Sequence, residues 1–215
     1  MNNNITQIIS NEITEKTLDL SVDFTEIALD RFISNNILSE IPIIKSVLSF
    51  YNIGNSIINR HNSKKILCFF QEFNSKKIDD IKFNEFKHKI ITDQKYQSQV
   101  IETIILLNER FLQVEKSKIL ANIIIAHIEG NLSWDELTDI TIVLDFIQPK
   151  GFLFLEKMSK LENWSGHDFS EDIGESLILA SGIGYKYGSQ LWINETGQKL
   201  FNFGIKPANV ISKSY

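Results

Sequence analysis

The stretch from Pro42 to Arg60, PIIKSVLSFYNIGNSIINR, constrains the fold of this chain more than any other. Pro42 suits the first turn of a helix, where its missing N–H costs nothing. Lys45, Ser49, Asn52, Ser56 and Asn59 then recur at steps of four and three, which predicts one narrow polar stripe. Most of the remaining circumference is apolar, carried by Ile43, Ile44, Val47, Leu48, Tyr51 and Ile57. A helix apolar on most sides is either the centre of a bundle or one that meets lipid. As a single helix the stretch would be roughly 28 Å long, close to the hydrocarbon thickness of a bilayer.

The rest of the chain reads the same way. Only three prolines and ten glycines punctuate 215 residues, and the long segments repeat with helical period. A mainly α protein follows, and its 43% apolar content can fill a substantial core. Ile5, Ile8, Ile9 and Ile13 start a first amphipathic helix, and Leu18 to Ile33 continue it or form a second. Asn62-Ser63 reads as a break after the central helix, and Gly54 within it as a point of close approach. Asp93 is placed to cap a long helix, and Gly130 to end the one that follows. Ser133-Trp-Asp-Glu136 is a capping box, Ser at the cap and Glu three residues on. It opens a second region whose boundary the sequence puts at Gly130 to Leu132. There Ser170 is expected to cap a helix to Ala180, and Trp164-Ser-Gly166 to form a loop. Ile183 to Tyr187 and Leu191 to Ile193 then alternate around Gly188-Ser189, predicting one β-hairpin. Residues 1–130 are thus expected to form a helical bundle, and residues 131–215 a smaller domain carrying that hairpin.

Residue chemistry narrows the function. Cys68 is the only cysteine and sits in an apolar run, so there is no internal disulfide, no thiolate cluster and an expectation of a buried thiol. His61, His88, His127 and His167 never pair at the spacing of a helical zinc site, and no metal or cofactor is expected. Asp79-Asp80 reads as a solvated surface pair. No nucleophile, base and oxyanion donor assemble, so no catalytic residues are assigned and the chain is read as non-enzymatic. Its start, Met-Asn-Asn-Asn, lacks the basic and apolar runs of a signal peptide, which predicts a cytoplasmic protein.

Net charge is −5 but unevenly placed. Residues 60–95 carry nine basic and five acidic groups, whereas residues 127–215 carry seven basic and twelve acidic. A basic middle segment in an acidic protein is the result.

Helices followed by a hairpin and a final helix over residues 133–203 resemble a winged-helix domain. The tail Leu179-Ala-Ser-Gly-Ile183, then Leu191-Trp-Ile-Asn-Glu-Thr-Gly197, is similar to that family's pattern, with Asn194 where threonine is usual. The chain as a whole resembles a group of bacterial proteins of unassigned function. The shared features are Asp23 to Arg31, Ile41-Pro42-Ile43-Ile44 to Arg60, and Lys64-Lys65 to Phe70. That resemblance implies a role in bacterial defence or stress response and brings no catalytic residues.

Winged helices often bind DNA, but the helix expected to enter the groove carries Glu171, Asp172 and Glu175 and no cation before Lys186, so nucleic acid is not the expected partner. The preferred reading is a protein-interaction or adaptor protein that binds a protein partner or itself, with Tyr185, Lys186, Tyr187 and Trp192 of the wing as contact residues. The alternative is a membrane-active effector that exposes helix 42–60 on triggering, turning Lys45, Ser49, Asn52, Ser56 and Asn59 toward the lumen of a pore. A DNA-binding regulator is the third reading.

Overall fold

The computed structural model describes residues 3–18, 42–51, 56–167, 169 and 172–211. The helix expected beyond Leu18, and the roles expected of Asn52, Gly54 and Ser170, lie outside them. The protein is mainly helical, with a small three-stranded antiparallel sheet in its C-terminal part. It divides into two compact units, residues 1–121 and 122–215. That division falls within a helix rather than in the Gly130 to Leu132 loop.

The first unit contains α1 (Asn3–Glu15), α2 (Pro42–Phe50), α3 (Ile57–Ser75), α4 (Asp80–Thr92), α5 (Gln94–Arg110) and the start of α6 (Glu115–Ile128). α1 touches each of α2 to α5, and α5 is shared by α3 and α4. The apolar face of α3 supplies the centre: Phe69, Phe70 and Phe73 are fully buried, with Phe69 stacked on Phe73 and edge-on to Phe70. Cys68 is buried beside them.

The single helix expected over 42–60 is not formed. α2 ends at Phe50, and Ser56 has extended backbone (φ −77°, ψ 113°) and accepts the Asn59 N–H through Oγ. Serine is among the strongest N-caps, because its hydroxyl satisfies an otherwise orphaned donor. Ser56 therefore starts α3 rather than continuing α2. Nor does the chain break at Asn62-Ser63. Ser63 is buried within α3, its hydroxyl donating to the Asn59 carbonyl at 2.9 Å, the back-bonding that lets serine sit inside a helix.

The expected cap at Asp93 is present, accepting from Tyr96 N–H at 3.0 Å. Asp79 is no idle surface acid either. It caps α4, accepting from the N–H groups of Ile81 and Lys82.

The second unit begins with the end of α6. Gly130 has φ +79° there, and the Gly130 and Asn131 N–H groups return to the His127 and Ala126 carbonyls, closing the helix as a Schellman turn. The Ser133–Glu136 capping box is complete in both directions, at 2.7 and 3.2 Å, and opens α7 (Trp134–Phe146). α8 (Pro149–Ser159), β1 (Ser165–His167), α9 (Ile173–Ala180), β2 (Gly184–Tyr187) and β3 (Gln190–Ile193) follow. Asn194 then caps α10 (Glu195–Lys199), which runs through a π-helical stretch, Leu200–Ile205, into α11 (Lys206–Ala208).

β1 replaces part of the expected loop. Its Ser-Gly-His sequence has no β-branched residue and no Tyr, Phe or Trp to announce a strand. It pairs antiparallel with β3, giving the order β1-β3-β2.

Candidate interaction face

The sheet has one buried face and one open one. Leu191 and Ile193 of β3 are at most 3% exposed and lie on the inner side. The opposite side is fixed by register, because residues directly paired across antiparallel strands project to the same face. Ser165, Trp192 and Tyr185 form one row across the three strands, and His167, Gln190 and Tyr187 form the next.

Both rows face outward. Tyr185 is 54% and Tyr187 86% exposed, Trp192 is half-buried, and His167 is exposed. The polar members are tied together: Gln190 Nε2 donates to Ser165 Oγ at 3.2 Å, and His167 Nδ1 lies 3.4 Å from Ser189 Oγ. Two tyrosines and a tryptophan beside this hydrogen-bonded frame offer rigid apolar area and polar groups together, the combination favoured at binding surfaces.

Lys186, grouped with these residues in the sequence reading, projects to the other side. Its ammonium is 2.8 Å from Glu175 Oε1, and Glu175 is 6% exposed. Lys186 thus neutralises a buried carboxylate of α9. Asp172 caps the same helix through the Gly174 N–H and pairs with Lys157 at 3.1 Å. Two of the three carboxylates expected to repel phosphate are therefore each paired with a lysine, and Glu171 lies outside the described residues. α9 itself carries no Lys or Arg. Its most exposed positions are Ile173, Ser176 and Ala180, and residues 122–215 hold twelve Asp and Glu against seven Lys and Arg.

Of the stripe read from residues 42–60, Lys45 and Ser49 are exposed on α2 while Ile43, Ile44 and Val47 point into the core. Ser56 and Asn59 belong to α3, so they do not extend that stripe. Ile57, expected within an apolar arc, is 73% exposed, and its neighbour Ile58 is 70% exposed. Among the described residues no helix is long and apolar enough to cross a membrane.

His127 Nδ1 lies 2.8 Å from the Leu132 carbonyl at the end of α6, with its ring edge-on to Trp134. A notch between α7 and α10 is lined by Glu136, Asp139 and Glu195, with Lys199 bound to both glutamates. Among the described residues no group of three His, Cys, Asp or Glu side chains is placed to hold a metal.

The sequence names Tyr185, Tyr187 and Trp192, which the register places on one face, but gives no sign that Ser165, His167 and Gln190 share it. Only the strand partnership of β1 reveals them, and a three-residue strand with glycine at its centre leaves no periodic signal. Compared with known proteins, the chain matches no family, no curated protein and no solved structure.

Proposed function

We propose that this is a non-enzymatic adaptor whose C-terminal unit binds a protein partner through the outer face of its sheet. One observation carries the reading: two cross-strand rows place the exposed Tyr185 and Tyr187, with a half-buried Trp192 beside them, on the outer face of the sheet. Large aromatic side chains held on a short, well-paired sheet lose little conformational freedom on binding, which is why such residues dominate binding energy at interfaces. The winged-helix resemblance fits this use, with the sheet rather than α9 as the contact surface. Resemblance to bacterial proteins of unassigned function supports a setting in defence or stress response.

A DNA-binding role has less support, since α9 lacks cations and Lys186 is committed to Glu175. A pore built on residues 42–60 lacks the continuous helix it requires.

The test is site-specific photocrosslinking in the source cells, with the crosslinker at Tyr187 and, as control, at Ser176 on α9. A partner captured at Tyr187 alone, whose affinity for the purified protein falls about tenfold or more in Tyr187→Ala, supports the reading. Capture at Ser176 only, or an affinity unchanged by Tyr187→Ala, rejects it.

A further inference from the structure

β2 is an edge of the sheet, since the order β1-β3-β2 gives it β3 on one side only. Tyr185, Lys186, Tyr187 and Gly188 along it are all exposed. The register fixes which backbone groups point away from the sheet. The Asn194 N–H donates to the Ile183 carbonyl at 2.9 Å, one step beyond the facing pair Gly184 and Ile193. Bonded pairs alternate with unbonded ones in an antiparallel ladder, so Ile183, Tyr185 and Tyr187 turn their N–H and C=O groups to β3. Those of Gly184 and Lys186 point outward from the edge, and among the described residues no hydrogen bond reaches them.

Such an edge is a template for another strand unless something blunts it, and an exposed lysine is a common deterrent. Here the deterrent is withdrawn. The Lys186 side chain lies on the inner side with its ammonium 2.8 Å from Glu175 Oε1, so the one charge on β2 already has its counter-charge. β2 holds no proline, and each of its residues has its own partner in β3, so no bulge interrupts it.

We infer that β2 pairs antiparallel with β2 of a second copy about a two-fold axis through Lys186, joining the two sheets into one. For both bonds of a pair to form, an outward-pointing residue must meet another, and this register satisfies that condition: Lys186 exchanges N–H and C=O bonds with its counterpart, and Gly184 lies opposite Gly188. Tyr185 then faces Tyr187 of the second copy, and Tyr187 faces Tyr185. These are unbonded pairs, the closer kind, so two tyrosine pairs meet on the outer side. A shift of two residues either way sets Tyr187 opposite Ile183 or Tyr185 opposite Ser189 and keeps only one such pair. A strand of unrelated sequence could use the same backbone groups, but a second copy supplies a tyrosine for each tyrosine and a lysine that brings its own Glu175. The area suits a weak dimer: four tyrosines of roughly 200 Å² each, partly covered, fall well below the ~1,200 Å² of a standing complex. The dimer is closed, because each copy spends its β2 edge. Pairing leaves the outer face open and doubles it, and does not depend on the adaptor reading.

The experiment is sedimentation equilibrium of the purified full-length protein, with no other protein present, together with oxidative crosslinking. Mass should climb from monomer toward dimer between about 1 µM and 1 mM, the range open to contacts smaller than a standard interface. The matched variants are Glu175→Leu with Lys186→Met and Glu175→Leu with Lys186→Pro. Both lack the ion pair, but only proline removes the outward N–H of residue 186, which the β2–β3 ladder does not use. The Met variant should associate at least as strongly as the parent, and the Pro variant at least about tenfold more weakly, since two hydrogen bonds are lost per dimer. For the register, Tyr185→Cys and Tyr187→Cys proteins are mixed under mild oxidation. The mixture should yield a crosslinked dimer, because unbonded pairs set Cα atoms about 4.5 Å apart, within disulfide reach, and neither protein alone should. Cys68 is fully buried and stays out of this reaction. Crosslinking uses neither matched variant, so it decides the matter even if proline unfolds the hairpin. Monomer mass throughout, parental association by a folded Pro variant, crosslinking of either cysteine protein alone, or none in the mixture would overturn the proposal. With no partner present, these outcomes are separate from capture at Tyr187.

Discussion

The ammonium of Lys65 lies 2.6 Å from the backbone carbonyl oxygen of Phe111, and Lys65 is only 1% exposed. The same ammonium donates to the Glu109 carbonyl at 3.1 Å. Both acceptors stand where α5 ends, among the carbonyls that the last turn of a helix leaves without partners. A cation there also meets the negative end of the helix dipole. The Tyr51 hydroxyl completes the corner, donating to Glu109 Oε1 at 3.2 Å. Lys65 is thus a side-chain cap that ties the middle of α3 to the end of α5.

Stability should consequently rise on the alkaline side of neutrality. Burial lowers the Lys65 ammonium to about 8 from its ordinary 10.5, against the opposing pull of Glu109. Between those values the unfolded chain binds more protons than the folded one, so folding gains as pH rises through that window. Neutral Lys65 keeps two N–H donors and can hold both carbonyls. Above about 10 the sign reverses. Burial raises the phenols of Tyr51 and Tyr96, the latter to about 12, so the folded state keeps protons that the unfolded chain gives up. The melting midpoint should therefore peak near pH 9 to 10. Lys65→Met should flatten the rise and cost about 1–3 kcal/mol at pH 9, where the carbonyls lose their donor. A parental midpoint that falls steadily from pH 7 to 10 would contradict this account.

The sequence made the helix ends legible wherever a side chain reaches its own backbone. The Ser133–Glu136 box, the Asp93 cap and the Gly130 terminus depend only on residues within a turn of each other, and all three are formed. The region from Pro42 to Arg60 is ambiguous in sequence, because one helix with a periodic polar stripe and two helices, the second starting at a serine cap, share the same pattern of residue types. Only the extended backbone of Ser56 distinguishes them. Lys65 carried no sequence signal, since its acceptors are backbone carbonyls far along the chain. The outer sheet face was half legible: alternation exposed Tyr185 and Tyr187, whereas the rows containing Ser165 and His167 exist only through pairing with β3. That same register assigns Lys186 to the inner side, which residue type alone could not do.

Acid should loosen the C-terminal unit at the start of α7. Lys199, and then the Ser133 N–H, hold the Glu136 carboxyl at about 2, well below its ordinary 4.5. A depressed carboxyl contributes stability that is present above the unfolded value and is lost as pH falls from about 4.5 toward 2. Glu136→Gln can still accept from the Ser133 N–H but cannot pair with Lys199 as an ion, so it should shrink the acid-dependent loss without removing the cap. Ser133→Ala should instead cost about 1 kcal/mol at neutral pH. Urea titrations at pH 7 and pH 3, followed by tryptophan fluorescence, separate the two effects.

Gly174 should tolerate no side chain. A Cβ at this position would stand 2.5 Å from Phe154 Cβ, where α9 packs against α8. Phe154 Cβ is anchored directly to its backbone and cannot swing aside, so Gly174→Ala must separate the helices or shift Phe154 from Phe169, its edge-on partner. A loss of about 1–3 kcal/mol is expected, despite the better helix propensity of alanine. A variant as stable as the parent in urea would show that the α8–α9 contact is looser than it stands.

The pairing of Lys186 with Glu175 allows the hairpin's stability to be separated from its binding role. Glu175 is buried, its Oε1 held by Lys186, while Oε2 has no partner among the described residues. Lys186→Met should leave the carboxylate buried without its counter-charge and cost about 2–4 kcal/mol. Adding Glu175→Leu removes that charge and should bring stability back to within about 1 kcal/mol of the parent, because a buried ion pair can be replaced by apolar packing at little net cost. The double variant keeps Tyr185, Tyr187 and Trp192 on the outer face, so it should bind the protein partner as the parent does, whereas Tyr187→Ala should remain as stable as the parent and bind poorly. Urea unfolding and partner titration on the same three proteins check both expectations. A stable double variant that no longer binds would make Lys186 itself a contact residue and relocate the interface toward the α9 side of the hairpin.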